Sequence, residues 1–421
     1  MPILMSSHSP LLIWSVAALT TAGVLFRPFR LPEAFWAAAG ALLLCATGLL
    51  ALPDAFAAVM RGYDVYLFLA GMMLISELAR KTGLFDHVAA LAVRQARGSA
   101  LRLFLLVYGF GTLVTAFMSN DATAVVLTPA VLAATRAARV RHPLPYLYAC
   151  AFIANAASFV LPISNPANLV IFGERMPPLA GWLAAFALPS LAAVLATLAA
   201  LWWTQRHALA EPIGSDVPVP PLSLQAWLTA LGIVLTGITL LLASLRGSEL
   251  GWPTCAAGVA TLLLVCATRR DLLLPALREV SWSVLPMVAG LFVLVAALEQ
   301  TAVIGHLADA VAAASRDGGA LALLAVGGLV TLAGNIANNL PAGLIAASAL
   351  SAGDASHAVT GAVLIGIDLG PNLSVTGSLA TLLWLTALRR EGHMVSAGQF
   401  LRLGAIVMPA AMLPALALLL W

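Results

Sequence analysis

Charge is scarce in this chain: 9% of its 421 residues are Asp, Glu, Lys or Arg, whereas 62% are hydrophobic. Uncharged runs of about 18 residues or more recur along its length, which excludes a water-soluble domain and points to membrane-spanning helices. Barrel strands are excluded too, because they alternate apolar and polar residues, and these runs are continuous and rich in Ala and Leu. Lysine is almost absent. Lys81 stands alone, no Walker A lysine motif exists, and the chain therefore does not hydrolyse ATP through a P-loop. Residues 1–26 contain no Lys or Arg, so the basic start of a cleavable signal peptide is missing and this segment is expected to persist as a first helix. The four cysteines, Cys45, Cys150, Cys255 and Cys266, form no close-spaced ligand pair, so neither a zinc site nor a disulfide framework is indicated. They are expected to act as small hydrophobes in the scaffold. No HExxH, nucleophile elbow or metal cluster is present, which argues against an intramembrane enzyme. No cofactor and no nucleic-acid partner is expected.

What the chain does contain is a few polar groups in unexpected places. FMSNDATAVVLTPAV, Phe117 to Val131, sets Asn120 and Asp121 inside a nearly wholly apolar run. A carboxylate at membrane depth is costly and usually faces a polar cavity or an ion pathway.

The sequence also partly repeats itself. A shift of 219 carries Gly71 onto Gly290, Thr82 onto Thr301, and Ser119-Asn120 onto Asn338-Asn339, while a shift of 212 lays LPISNPANLV (161–170) on LSVTGSLATL (373–382). A polar, Pro-rich linker at 204–223 separates a first repeat, 1–203, from a second, 224–421. Each repeat has one run too long for a straight span, 143–173 and 358–388, the second interrupted only by Asp368. At about 1.5 Å per residue either would reach roughly 46 Å, against a hydrocarbon core of about 30 Å. Both are expected to break, at Pro162 and Pro166 in one and at Gly370-Pro371 in the other. Ahead of each lies an apolar segment with a polar middle, about 103–135 and about 318–353. Two full spans or a re-entrant hairpin would fit, and the 14 uncharged residues after Asp121 favour the hairpin.

Either choice leaves five crossings per repeat, in the first roughly Leu11–Phe26, Phe35–Leu52, Asp64–Ala79, the broken segment and Leu179–Trp203. An odd number inverts the second repeat, giving an all-α polytopic protein of about ten membrane helices. With both termini outside and the linker inside, 17 of the 21 basic residues fall on the inner side, leaving Arg61, Arg175, Arg246 and Arg316 outside. Two inverted repeats describe a secondary transporter whose site lies at the midplane.

That site is expected to collect Ser119, Asn120, Asp121 and Thr123 from one tip and Asn335, Asn338 and Asn339 from the other. The breaks add Ser164, Asn165, Asn168, Asp368, Ser374, Thr376 and Ser378, with Asn372 beside them. Many neutral donors and acceptors, two carboxylates and no cation suit a small hydroxylated solute or a cation better than a polyanion, although helix N-termini can partly replace a basic residue. Any single Asn or Ser here has a simpler use, hydrogen bonding between helices for about 0.6 to 2 kcal/mol. Glu77, Glu299 and Asp64 lie near helix ends and read as interfacial.

FMSNDATAVVLTPAV, ANAASFVLPISNPANLV (154–170), GNIANNLPAGL (334–344) and IGIDLGPNLSVTGSLATLLWL (365–385) together resemble the arsenical pump membrane protein family, ArsB, of the ion transporter superfamily. The similarity runs from about Gly62 onward. The family's IDLGP motif commonly continues with Lys where Asn372 stands here. The resemblance implies export of arsenite and antimonite across a bacterial inner membrane, driven by proton entry and in some systems by docking of a separate cytoplasmic arsenite-stimulated ATPase subunit. Asp121 and Asp368 would then carry protons, and the Asn, Ser and Thr groups would bind the solute. A sodium/proton antiporter of the same superfamily is the alternative, and a passive metalloid channel a more distant one.

Overall fold

The computed structural model describes residues 9–214 and 217–420, and it is helical throughout apart from an isolated bridge between Ser99 and Pro212. Helices α1 (Ser9–Phe26), α2 (Glu33–Ala46), α3 (Leu52–Arg61), α4 (Tyr63–Lys81), α5 (Leu84–Ala96) and α6 (Ala100–Met118) lead to a sharp reversal at Ser119. From it α7 (Asn120–Ala122), a π-helical turn (Thr123–Leu127) and α8 (Thr128–Ala137) run back. Helix α9 (Leu144–Ala156) stops, α10 (Pro166–Phe172) resumes, and α11 (Leu179–Gln205) follows. The second half of the chain has the same order: α12 (Leu224–Leu245), α13 (Gly251–Thr268), α14 (Leu273–Glu279), α15 (Val284–Glu299), α16 (Ala302–Asp317) and α17 (Ala320–Ala337) reach a reversal at Asn338. Helices α18 (Asn339–Ala352), α19 (His357–Leu369), α20 (Leu379–Arg390) and α21 (Ala397–Ala417) complete it, with the expected break between α19 and α20.

Among the described residues seven helices are long and apolar enough to cross a membrane, or eight when α3 and α4, bent by 47° at Gly62, are taken as one span. The chain is thus an all-helical polytopic membrane protein. The expected span Phe35–Leu52 ends early, at Ala46. There the Thr47 hydroxyl donates back to Leu43 O at 2.7 Å, Gly48 adopts φ 73°, and Leu49 N bonds Leu44 O, a glycine-terminated helix end that the apolar run conceals. Helix α2, at Glu33–Ala46, is shorter than the seven, and the stretch Pro10–Phe26 of α1 falls just short of them, so length alone does not make either a crossing.

Packing within a bilayer relies on close backbone approach because lipid supplies little hydrophobic drive. Gly71 of α4 lies against the backbone of Thr254 and Gly258 on α13, and a Cβ on Gly258 would sit 2.7 Å from Gly71 O. Gly290 of α15, onto which a shift of 219 carries Gly71, lies against α2, where a Cβ would meet Ala37 O at 2.6 Å. Ion pairs close the ends of the same helices. Arg80 of α4 binds Glu77 at 2.6 Å and Glu279 of α14 at 2.5 Å, and Lys81 also pairs with Glu279. Glu299 of α15 holds Arg61 of α3 at 3.3 Å and accepts from Ser348 of α18 at 2.7 Å. The two clusters correspond with signs exchanged: a shift of 219 carries Arg80 onto Glu299, and one of 218 carries Arg61 onto Glu279. Asp64, expected to be interfacial, accepts from Gly251 N at 2.6 Å and so caps the start of α13.

Gly71→Val and Gly290→Val should each cost about 1–3 kcal/mol by overpacking and lower the melting temperature of the detergent-solubilised protein. Gly109→Ala, into open space, should leave it unchanged. Equal melting of all three would remove the close-approach account.

Candidate functional site

The two reversals have the same backbone geometry. Ser119 has φ 98° and ψ 160°, and Asn338 has φ 74° and ψ 151°. A side chain in this region costs about 1–3 kcal/mol and persists only where the surroundings impose it. The surroundings are visible in both cases. On the first tip, Ser119 N bonds Thr115 O at 3.1 Å, the Thr115 and Thr123 hydroxyls share a hydrogen bond of 2.8 Å, and Asp121 N donates to Asn120 Oδ1 at 3.0 Å. On the second, Asn338 Nδ2 donates to Thr376 O at 3.3 Å and Asn339 N to Gly377 O at 2.9 Å, which pins the tip to the α19–α20 break.

Each break is held by side chains acting on backbone. Asn168 Nδ2 donates to Ser158 O at 2.9 Å and to Leu161 O and Pro162 O at 3.3 Å, tying together the unwound strand that precedes α10. Ser164 Oγ donates to Ala116 O at 3.0 Å and accepts from Leu161 N at 3.0 Å, fixing the break to the first tip. Asn335 Nδ2 donates to Thr331 O at 2.8 Å and to Gly370 O at 2.9 Å, while its own oxygens accept from Ser374 and Thr376. Between the breaks lies a buried cluster in which Asn155 Nδ2 donates to Asn372 Oδ1 at 3.0 Å and Ser378 Oγ donates to Asn155 Oδ1 at 3.2 Å. Asn372 Nδ2 also donates to Phe152 O at 3.1 Å, and Ser378 shares a hydrogen bond of 2.9 Å with Thr381 while capping α20.

A cavity of about 50 Å³ opens where the tips and breaks meet. Of the expected site residues it is lined by Asn120, Asp121, Asn165, Asn338 and Asn339. Its wall includes the first residues of α7, α10, α18 and α20, and it contains no Arg or Lys among the described residues. At about 10–15 Å³ per water position, it has room for roughly three to five water-sized groups. Asp368, 1% exposed, stands behind this wall: Asn165 Nδ2 donates to its Oδ1 at 2.7 Å, and its Oδ2 has no hydrogen-bond partner among the described residues. Ser119, Thr123, Ser164, Asn168, Asn335, Ser374, Thr376 and Ser378 hold the frame and are absent from the lining.

Sequence reading missed Asn155 and Thr381, although both lie in the two broken runs, where any polar residue is a signal. It also missed Glu33, which lines the cavity and pairs with Arg27. The surrounding RPFRLPE resembles an ordinary interfacial turn, and nothing in it marks a cavity. A second space of about 440 Å³, between α5, α6 and α12, is walled by apolar side chains and Gly237, and has no polar group to bind a hydrophilic solute.

Asn155→Ala should strip partners from Asn372, Ser378 and Thr381 at once. Ser378 and Thr381 keep each other, so one buried acceptor, Asn372 Oδ1, is left without a partner among the described residues, and at about 1–3 kcal/mol for such a group the variant should melt below the parent protein. An unchanged melting temperature would show that the cluster does not hold the breaks together.

Comparison with known proteins agrees with a transporter. Residues 11–366 match the family model described as CitMHS, citrate transporter. The arsenical pump membrane protein of Escherichia coli strain K12 is 28% identical over 94% of this chain and 95% of its own, and that of Yersinia enterocolitica is 28% identical over 80% and 81%. An uncharacterized transporter of Mycobacterium tuberculosis is 28% identical over 82% of each chain. Among solved structures, the Alcanivorax borkumensis YdaH transporter covers 98% of each chain at 18% identity with a TM-score of 0.54, a likeness of fold. The chain belongs to the CitMHS family of the ion transporter superfamily and is a secondary transporter rather than an enzyme.

Proposed function

We propose that the chain exports trivalent metalloid hydroxides, arsenite and antimonite, from the cytoplasm in exchange for protons. The observation that carries this reading is the cavity lining, four asparagines and Asp121 around a space of about 50 Å³. As(OH)3 is neutral at pH 7, has few heavy atoms, and has three hydroxyls that both donate and accept, which suits side-chain amides without a balancing cation. Citrate fits this cavity poorly. Its carboxylates would meet Asp121 and Glu33 with no lining Arg or Lys to offset them. Two of the relatives above are named arsenical pump membrane proteins, which supports the same choice.

Asp121 carries the proton in this proposal because it faces the cavity, where it can meet water from whichever side is open. Asp368 takes part through Asn165, which touches both the cavity and its carboxyl. Each proton that enters the cell draws on the membrane potential, worth about 2.3 kcal/mol per charge per 100 mV. The proposed frame is two inverted five-helix repeats of about ten crossings, 1–203 and 224–421, with re-entrant hairpins at the tips, both termini outside and the 204–223 linker inside. Supporting it are the matched conformations of Ser119 and Asn338, the matched contacts of Gly71 and Gly290, the exchanged ion pairs, and the inward bias of basic residues. A sodium/proton antiporter is the second reading, since Asp121 and four amide oxygens also suit a small cation.

Everted vesicles test these readings together. Arsenite, and not sodium, should collapse an imposed pH gradient and accumulate against its own gradient. Asp121→Asn should reduce uphill accumulation at least tenfold while leaving downhill equilibration measurable, since the amide keeps the size of the side chain and removes the exchangeable proton. Uphill accumulation at the parental rate in that variant would exclude Asp121 as the proton carrier.

None of the four cysteines lines the cavity, so replacing all four by Ser or Ala should retain most metalloid export. A cysteine-free protein that inserts and folds but no longer transports would overturn the hydroxyl-and-amide site.

A further inference from the structure

Among the described residues lining the cavity two are acids, Asp121 and Glu33, and Asp368 is not one of them. Glu33 lies in the first turn of α2, directly after Pro32, and Arg27 pairs with it across the α1–α2 corner from a left-handed backbone conformation, φ 46°. An ion pair that served only to close this corner would have no need to face the cavity. Among the described residues the neighbouring walls offer no other free acid: α4 lines the cavity through Leu69, and its acids Asp64 and Glu77 are engaged by Gly251 N and Arg80. Helix α1 contains no ionisable residue, and Val24 and Leu25 are apolar. Helix α15 presents Val284, Met287, Val288 and Leu291, and its one acid, Glu299, is at its far end and engaged with Arg61. On α3, Asp54 and Arg61 do not line the cavity, and Arg27 is the charged group that meets Glu33. The corner carries Arg27 and Arg30, and the charge bias along the chain assigns it to the cytoplasmic side.

We propose that Glu33 is the release station through which the proton of Asp121 leaves for the cytoplasm, with Arg27 as its counter-charge. The proposal rests on Asp121 being the proton carrier. The proton leaves the Asp121 carboxyl, crosses the few water positions of the cavity, is taken by the Glu33 carboxylate, and passes to cytoplasmic water. No electron moves and no bond to the solute forms. Arg27 balances the charge that Glu33 bears between transfers, so a second carboxylate persists in the cavity lining with its repulsion of Asp121 offset.

The test needs no metalloid. In purified protein reconstituted in phospholipid vesicles, infrared absorption follows the protonated-carboxyl C=O band of Asp121, identified by its loss in Asp121→Asn, after a rapid rise in pH. Glu33→Gln should slow the decay of that band at least tenfold, and Glu33→Asp should recover most of the rate. If a lone Arg27 unsettles the corner, the double variant Arg27→Gln/Glu33→Gln removes both charges together and should show the same slowing. Decay at the parental rate in both Gln variants would overturn the role of Glu33 while leaving Asp121 as carrier. No Asp121 band in the parent protein at any pH would overturn both.

Discussion

A helix broken inside a membrane leaves backbone N–H and C=O groups with no water to satisfy them, and each such group costs several kcal/mol in hydrocarbon. This requirement organises the middle of the protein. Asn168 alone serves three carbonyls of the first break, Asn335 serves two of the second hairpin and break, and Ser164 joins one break to the neighbouring tip. The polar residues that look like a binding site in sequence are therefore of two kinds. Most hold unwound backbone in place, and a minority, Asn120, Asp121, Asn165, Asn338 and Asn339, face the cavity, with Asn338 doing both through its bond to Thr376 O.

The same requirement explains why the strain at Ser119 and Asn338 is tolerated. Both residues hold a backbone conformation that glycine adopts more easily, and both keep a side chain. Replacing either by glycine would relax the turn and remove a hydrogen-bonding group: for Asn338, the amide that ties its tip to Thr376. Rigidity at the tips fixes the positions of Asn120, Asp121 and Asn339 with respect to one another.

The membrane class, the two breaks and the two reversals were legible in the sequence because each leaves a local mark: an uncharged run longer than a bilayer, a proline in its middle, a polar triplet between apolar arms. The helix end at Ala46 was not, because the turn depends on one glycine inside a run that hydropathy treats as continuous. Among the expected polar residues, residue type alone could not sort those that face the cavity from those that frame it. Asn165 and Asn168 are three positions apart, yet the first lines the cavity and the second turns its amide to Ser158, Leu161 and Pro162. Glu33 was hidden for the opposite reason, since a carboxylate beside prolines and arginines at a helix start is what any membrane interface contains.

The exchanged ion pairs bear on how such a protein is assembled. In the first half of the chain the corresponding ends of α3 and α4 are cationic, Arg61 and Arg80, and in the second they are anionic, Glu279 and Glu299. Two copies of the first half set together in the same way would bring arginine against arginine, and two copies of the second would bring glutamate against glutamate. Each half is complementary to the other and repels its own kind. During synthesis the first half therefore enters the bilayer with Glu77 alone to offset Arg80, and with Arg61 and Lys81 still lacking the Glu299 and Glu279 that arrive with α14 and α15. Fusion into one chain supplies that partner every time, at equal dose, which free half-length subunits competing to self-associate would not achieve.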